Sequence, residues 1–301
     1  MNVLIGGGSG LLGEAIRVLL EEQGHRVAIL SRSEHVEGVN SFQWDVEERY
    51  IEDEAIRFAD AIINLAGTNL AGKRWTLSQK KSIINSRVQS TQLLVTAVER
   101  LQKPLLSFVS ASAIGYYGSV TKDTVFKESD PPGTDFLGQT CEIWEKAADL
   151  FTQMNIRTVK LRIGVVMSEK GGMLKEVLPI FKKSLGAPLG SGKQALPWVH
   201  IEDVARMFVF ALDNPELNGA YNATAPNPVT NKAFTHALNN ALGKKTRLPN
   251  VPGFILKLLF GGSATLMLDG TPVSSKKIQN TGFKHKHSDI HSALNDILLK
   301  K

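Results

Sequence analysis

The amino-acid sequence predicts an α/β protein: a doubly wound parallel sheet with a smaller, interleaved C-terminal lobe. Short apolar runs alternate with amphipathic helical patterns through the first two-thirds of the 301 residues. Such alternation is typical of a parallel sheet that helices cover on both faces. The first apolar run leads into a glycine-rich loop. After about residue 166 the pattern loosens into segments rich in turn formers, such as PLGSGKQALP, and these predict the smaller lobe.

The predicted elements follow in order. Asn2–Gly6 is a buried strand, and apolar residues then recur on one helical face until Gly24 ends the helix. Further strands are predicted at 27–30, 61–65, 105–109 and 158–161, and long helices at 78–98 and 137–153. A helix at 201–212 is expected to return to the sheet. The prediction is therefore a sheet domain at 1–166, with 196–222 returning to it, and a substrate-binding lobe formed mainly by 167–301.

Composition and charge exclude several classes of protein. A hydrophobic share of 43% and a charged share of 21% are typical of a globular protein with a substantial core. The net charge of +6 without a long Lys/Arg run suits an anionic ligand better than nucleic acid. Cys141 is the only cysteine, so neither an internal disulfide nor a thiolate metal cluster is expected, and no metal-binding residue is predicted. Without a signal-peptide pattern or a run of 18 apolar residues, we expect a cytoplasmic protein that does not associate with membranes.

The loop after the first strand reads GGGSGLLG, residues 6–13. Gly7, Gly10 and Gly13 have GxxGxxG spacing, and Gly8 with the last two satisfies GxGxxG. Glycine allows a tight turn and a close approach of the backbone to a pyrophosphate, while the following helix N-terminus offers free N–H groups. Because the motif lies between a strand and an amphipathic helix, it predicts a Rossmann-like dinucleotide site.

The end of the second strand bears on which dinucleotide binds. It reads Leu30-Ser31-Arg32, and Glu34 lies further out. An NAD site usually has an acid here for the ribose 2′-hydroxyl, whereas Arg32 can donate charge-assisted hydrogen bonds to the 2′-phosphate of NADP. We therefore expect NADP(H) to be preferred over NAD(H), with a solvated loop arginine as the alternative.

Seven segments, in this order, resemble the extended short-chain dehydrogenase/reductases, the nucleoside-diphosphate-sugar epimerase/dehydratase group. They are GGGSGLLG (6–13), AIINLAG (61–67), KRWTLSQKKSIINSR (73–87), VSASAIGYYG (109–118), LRIGVVMSEKGG (161–172), PLGSGKQALPWVHIEDVA (188–205) and GAYNATAP (219–226). More narrowly, the chain resembles the branch called epimerase family proteins. The segment PVSSKKIQNTGF (272–283) resembles the small C-terminal module of that branch. The resemblance covers nearly the whole length. It implies a Rossmann sheet that carries NADP(H) across its carboxyl edge and a substrate pocket under the second lobe.

The resemblance also implies roles for individual residues. Those that match the family's cofactor site are Gly7, Gly10, Leu11, Leu12, Ser31, Arg32, Leu65, Ala66, Gly67, Arg87 and Ser110. Arg87 stands where the family usually has asparagine, and it is expected to reach cofactor phosphates or an anionic substrate; a surface ion pair is the alternative. Trp198 and His200 match the segment that closes over the substrate. The substrate itself is expected to be small and, by resemblance, sugar-like.

The family's YxxxK pair is missing. Residues four apart share a helix face, so the lysine charge lowers the pKa of the tyrosine and makes it a usable acid/base. Here the segment DFLGQTCEIWEKAA (135–148) places Phe136 and Thr140 in the nearest register, and Leu137 and Cys141 in the next. No YxxxK occurs anywhere in the chain. We expect Phe136 and Thr140 to face the nicotinamide.

Three hypotheses follow from the missing pair. First, other residues replace the pair: the candidate catalytic residues are Ser112, Tyr116 and Tyr117, with Lys73 or Arg74 nearby. Second, Cys141 contributes its thiol. Third, the protein binds NADP(H) as a regulatory or partner-binding module, or as a very slow reductase. The sequence does not decide among them. A homodimer is also open, because the helices at 78–98 and 137–153 resemble those of the family's dimer interface.

Overall fold

The computed structural model describes residues 1–33, 36–70, 74–245 and 248–299. Within these ranges the strands are β1 (Asn2–Gly6), β2 (Arg26–Ser31), β3 (Ser41–Asp45), β4 (Tyr50–Ile51), β5 (Ala61–Asn64), β6 (Ser107–Ala113), β7 (Thr158–Ile163), β8 (Val165–Met167), β9 (Ala195–Leu196), β10 (Trp198–His200), β11 (Gly219–Ala223) and β12 (Val229–Thr230). The helices are α1 (Leu11–Glu22), α2 (Asp53–Phe58), α3 (Leu77–Arg100), α4 (Phe136–Gln153), α5 (Gly172–Lys182), α6 (Ile201–Asp213), α7 (Asn231–Ala241), α8 (Gly253–Phe260), α9 (Thr265–Leu268), α10 (Lys276–Asn280) and α11 (Ile290–Leu299). Short 3-10 turns occupy Ile114–Tyr117 and Gly261–Ala264.

An eight-stranded sheet lies at the centre, in the order β11-β7-β6-β5-β1-β2-β3-β4. All neighbouring strands run parallel except β4, which is antiparallel to β3. The chain adds β2 and β3 on one side of β1 and then β5, β6 and β7 on the other. The predicted doubly wound α/β fold is thus confirmed. The reversal beside β1 opens a crevice at the carboxyl ends of β1 and β5, where ligands bind in sheets of this kind.

β1 shows why these residues form a central strand. Val3, Leu4 and Ile5 are fully buried, as a strand covered on both faces requires. Successive side chains of a strand point to opposite faces. Val3 and Ile5 therefore pack with α1 and α6, whereas Leu4 packs with α2, α3 and α4.

The smaller lobe has a core of its own. Apolar side chains of α5, α7 and α11 pack together, for example Leu178, Leu238 and Leu294. Two short sheets belong to it, a parallel pair of β8 with β10 and an antiparallel pair of β9 with β12. Between these segments the chain returns to the main sheet, because α6 packs on α1 and β11 pairs with β7. The domain boundary at residue 166 and the homodimer stay predictions.

The helix α8 exposes several large apolar side chains. Phe254 and Leu258 are each 71% exposed, although both are large and apolar. Arg74, just before α3, donates hydrogen bonds to the backbone oxygens of Leu258 and Leu259. This contact fixes α8 beside the start of α3. None of the described helices combines the length and the apolar character needed to span a membrane.

Candidate functional site

The glycine loop between β1 and α1 has the shape that the motif predicts. Gly7 has φ 76°, a left-handed conformation that glycine adopts without strain. A Cβ on Gly7 would lie 3.0 Å from the carbonyl carbon of Leu65, and one on Gly13 would lie 2.6 Å from the Gly7 oxygen. The Gly10 N–H donates to the Gly7 oxygen at 3.1 Å and closes the turn. The glycines therefore let the loop lie against both α1 and the end of β5.

The start of α1 offers free backbone donors. Gly10 is its N-cap residue and supplies no side-chain hydrogen bond. The first N–H groups of a helix lack partners within the helix, and the helix dipole places partial positive charge there. They face what we call the dinucleotide groove, a cavity of about 340 Å³. The predicted site residues that line this groove are Gly7, Gly10, Leu11, Leu12, Leu65, Arg87 and Ser112.

Ser31 and Arg32 lie at the end of β2, outside the lining of the groove. The Ser31 hydroxyl accepts a hydrogen bond from the Ser33 N–H at 3.1 Å. The exposed Arg32 makes no ion pair with any described residue. Glu34 lies outside the described residues. Within the described chain the Arg32 charge is therefore available to an anionic group.

Asn64 shapes the end of β5, and sequence reasoning missed it. Its side-chain oxygen accepts the Ala66 N–H at 3.1 Å, while its amide nitrogen donates to Ser90 and Thr91 of α3. The amide is fully buried, so these bonds satisfy it. They hold the turn at Ala66 and Gly67 beside the groove. A polar residue ending an otherwise apolar strand was the only signal in the sequence.

Arg87 projects from α3 into the groove. Its Nη1 donates to the backbone oxygens of Thr68 and Ile83 at 3.1 and 3.0 Å, and its guanidinium lies 5.0 Å from the centre of the Trp144 ring. Gly67 leaves room for it, since a Cβ there would lie 3.0 Å from the guanidinium carbon. Burial lowers the pKa of Arg87. No described carboxylate pairs with it, so the surface ion pair is wrong and an anionic ligand suits this cation.

Two of the predicted catalytic hydroxyls, those of Ser112 and Tyr117, belong to a buried hydrogen-bond network. The Ser112 hydroxyl donates to the Glu145 carboxylate at 2.7 Å, and Nε and Nη2 of Arg162 donate to the same carboxylate at 2.8 and 2.9 Å. The Tyr117 hydroxyl accepts from Nη1 of Arg162 at 3.0 Å and donates to Asn222 at 2.6 Å. Burial raises the pKa of Tyr117 to about 12, although the Arg162 charge opposes this. The sequence did not reveal Glu145, Arg162 or Asn222, because they meet only in the folded chain.

Tyr116 is held by the same arginine. The Arg162 guanidinium lies 3.4 Å from the centre of the Tyr116 ring, and the rings of Tyr116 and Tyr117 pack edge to face with their centres 5.5 Å apart. Burial raises the pKa of Tyr116 as well. Both shifts are opposite to what an acid/base tyrosine requires. Of the proposed helpers, Lys73 lies outside the described residues, and Arg74 is bound to the backbone of α8.

A second cavity adjoins the groove, and Ala113, Ile163 and Gly164 line both. We call it the apolar cavity; its volume is about 180 Å³. Apolar side chains from separate parts of the chain form most of its wall. They include Leu70, Ile114, Leu137, Val165, Leu196, Pro197, Leu266 and Val273.

The register of α4 differs by one residue from the expected one. Leu137 and Cys141 line the apolar cavity. Phe136 instead packs on Trp75, with ring centres 5.1 Å apart, and Thr140 donates to the Phe136 oxygen at 2.6 Å. The expectation that Phe136 and Thr140 face the site is therefore wrong, and the next register is the observed one. Burial raises the pKa of Cys141 to about 12, so its thiol stays protonated and unreactive.

Trp198 and His200 line neither cavity, contrary to expectation. Trp198 is fully buried in the lobe core and donates to the Asn227 oxygen at 3.1 Å. His200 caps α6, because its Nδ1 accepts the Glu202 N–H at 3.1 Å. Burial and the stacked His287 lower the pKa of His200 to about 4. The preceding residues 195–197 line the apolar cavity instead, since the strand turns its aromatic residue inward.

Comparisons with known proteins identify the family. The sequence model of the NAD dependent epimerase/dehydratase family matches residues 3–224, and a domain of unknown function, DUF1731, matches residues 251–297. An epimerase family protein of Mycobacterium bovis is 38% identical over 293 residues, 97% of this chain and 96% of the relative. Human epimerase family protein SDR39U1 is 34% identical over 99% of this chain and 100% of its own. The chain belongs to the NAD-dependent epimerase/dehydratase family.

Solved structures agree. Human SDR39U1 with NADPH is similar with a TM-score of 0.88 and 32% identity, over the whole of both chains. A nucleoside-diphosphate sugar epimerase of Corynebacterium glutamicum has a TM-score of 0.81 and 28% identity, over 99% of this chain and 58% of that one. A UDP-glucose 4-epimerase of Thermus thermophilus with NAD is 22% identical over 99% of this chain and 97% of that one, and shares the fold with a TM-score of 0.77. The resemblance to the epimerase family proteins is thus confirmed.

Proposed function

We propose that this member of the family binds NADPH in the dinucleotide groove and reduces a small carbonyl compound in the apolar cavity. One observation carries the proposal: Ala113, Ile163 and Gly164 line both cavities, at the carboxyl ends of β6 and β7. A dinucleotide site and a substrate site that share a wall are what a reductase of this fold needs. The NADPH in the human relative's structure supports this choice of cofactor.

The residues around the groove fit a dinucleotide. Backbone N–H groups at the start of α1 would hold the pyrophosphate, because Gly10 leaves them without a cap. Arg87, which has no described acidic partner, would add a positive charge to the same anionic ligand. Arg32 would contact a 2′-phosphate, which NADPH carries and NADH lacks. The preference for NADPH rests on this last residue.

Bound NADPH would supply the hydride, and the chain would have to position the substrate and provide a proton. The groups suited to proton transfer are already occupied or inert. Ser112 and Tyr117 are bound within the Arg162 network, and the Cys141 thiol has a pKa of about 12. The proton would therefore come from water, and turnover would be slow. Sugar epimerisation, which needs a positioned acid/base, is a poorer match to this site.

The experiment measures binding and chemistry separately. Calorimetry gives the affinity for NADPH, and absorbance then follows NADPH oxidation with a panel of aldehydes and ketones. Slow oxidation that saturates with the carbonyl compound would support the reductase. The control is Gly10→Leu, which should block the groove and whose folding is checked by circular dichroism. Oxidation by the parent that is no faster than by this variant would count against the reductase.

A non-catalytic NADPH-binding module is the second candidate. It is favoured by Leu137 and Cys141, which stand on the cavity face of α4 at the YxxxK spacing and carry neither a phenol nor a charge. Tight NADPH binding with no oxidation by any carbonyl compound would support this candidate. Binding of NADPH too weak to measure would contradict both.

A further inference from the structure

We infer that the apolar cavity takes a neutral, largely apolar carbonyl compound with about the bulk of one ring, and not a nucleoside-diphosphate sugar. The inference rests on the proposed function and names the substrate class of that site. Family members of known structure include epimerases that act on nucleotide sugars. The two substrate classes make opposite demands on a binding site, since one needs charged donors and the other needs apolar contact.

Charge is the first observation. Among the described residues, no lysine, arginine or histidine lines the apolar cavity. Three nearby cations lie outside it: Arg162 pairs with Glu145, Arg87 lines the dinucleotide groove, and Lys257 lines an outer hollow. A diphosphate carries at least two negative charges, and burying them without charged partners is strongly unfavourable. The described wall of the cavity therefore offers no positively charged side chain to a diphosphate.

The charged group that does line the cavity has the wrong sign for a phosphate. Asp269 lies at its outer edge, after α9, and is half-buried. Burial raises the pKa of Asp269, with the charge of Lys257 opposing, so this carboxylate is already unfavourably placed. A second negative charge close to it would be repelled. Asp269 thus selects against anionic ligands.

Size is the second observation. The cavity holds about 180 Å³, and an engineered apolar cavity of about 150 Å³ in another protein binds benzene. One ring or a short branched chain fits such a volume. A nucleoside diphosphate with its sugar needs several times as much, because sites for drug-sized ligands are on the order of 300–1,000 Å³, so it does not fit inside the apolar cavity itself.

The approach to the cavity is the third observation. An outer hollow of about 560 Å³ adjoins it, and Thr265 and Asp269 line both. Phe254 and Leu268 line the hollow, and Lys257 is its one cation among the described residues. Leu266, which is 38% exposed, stands at the cavity edge. A ligand entering by this route meets mainly apolar surface, which favours an apolar compound.

The test uses the full chain with NADPH bound and measures ligand binding, so that it does not depend on turnover. The affinity for NADPH is measured first, and a lack of NADPH binding would overturn the proposed function. Each probe is then tested both on the NADPH complex and on the protein without NADPH. The probes are benzaldehyde, 4-carboxybenzaldehyde and UDP-glucose, and ligand-observed NMR measures the binding of each. We expect benzaldehyde to bind, the carboxylate analogue to bind about tenfold more weakly, and UDP-glucose not to bind.

Three variants show where the probes bind. Asp269→Asn should narrow the gap between benzaldehyde and its carboxylate analogue. Leu266→Asp should weaken benzaldehyde binding about fivefold or more, whereas Leu258→Asp, exposed on α8 and outside the cavities, should not. Saturable UDP-glucose binding, equal affinity for the two aldehydes, absence of benzaldehyde binding, or equal loss in both leucine variants would each overturn the inference.

Discussion

The dinucleotide groove and the apolar cavity share a wall, but backbone atoms form much of the groove and side chains form most of the cavity. The groove is formed largely by backbone: the glycine loop, the uncapped start of α1 and the turn after β5, with Arg87 adding charge. The cavity is formed by apolar side chains from distant segments, such as Leu70, Leu196 and Leu266. In the proposed function, the backbone donors would bind the dinucleotide, whereas the cavity wall would select the substrate. The difference explains how the family's cofactor site can be kept while its catalytic pair is absent.

The largest expected effect is at the Arg162 network, which lies beside both regions. Arg162→Met would leave Glu145 buried without its partner, and breaking a buried pair in this way costs about 3–5 kcal/mol of unfolding free energy. Denaturant unfolding measures this loss. Arg162→Met combined with Glu145→Leu should recover part of it, because no unpaired charge remains. If the single variant were as stable as the parent, the network would not support the shared wall.

Gly10→Leu should remove the groove and spare the cavity. A Cβ there would lie 3.3 Å from the Gly7 oxygen, a tight contact that needs a small shift of the loop, and a longer side chain at the N-cap would also block the pyrophosphate position. We expect about a hundredfold loss of NADPH affinity by calorimetry, with benzaldehyde still bound. Gly10→Ala is the matched control and should lose much less. Unchanged NADPH affinity in folded Gly10→Leu would refute the assignment of the groove.

Restoring the acid/base pair tests whether the cavity lacks only its catalyst. Leu137→Tyr with Cys141→Lys places a phenol and an ammonium one helical turn apart on the wall of the cavity. Acid/base catalysis contributes about a hundredfold or more, so NADPH oxidation by benzaldehyde should rise toward that factor, and each single change should add little. Phe136→Tyr with Thr140→Lys, which faces away from the cavity, is the control. Equal gains in both double variants would contradict the observed register.

The smallest expected effect concerns the cofactor's 2′-phosphate. Removing one charge-assisted hydrogen bond costs about 1.5–3 kcal/mol, so Arg32→Ala should weaken NADPH binding about tenfold or more and leave NADH binding nearly unchanged. Calorimetry with both cofactors on parent and variant measures the change. Arg32→Lys should keep part of the preference because the charge remains. Equal affinity of the parent for the two cofactors would rule out this role.

The sequence by itself determined the parallel sheet and the glycine loop that shapes the groove. Both depend on local features: the apolar run of β1, the positive φ of Gly7 and the missing cap at Gly10 are fixed by the residues at those positions. The sequence also showed that YxxxK is absent. These predictions needed no knowledge of which segments meet.

Only the tertiary structure decided which side chains line the apolar cavity and which lie outside it. The Tyr117 hydroxyl donates a hydrogen bond to Asn222, 105 positions away, so this predicted catalytic group is already occupied. Packing of α4 on α3, and not its residue types, turned Leu137 toward the cavity and Phe136 toward Trp75. Trp198 looked like a ligand contact and proved to be lobe core. The physical reason is that side-chain burial and pairing depend on contacts between distant segments, which no short window of sequence contains.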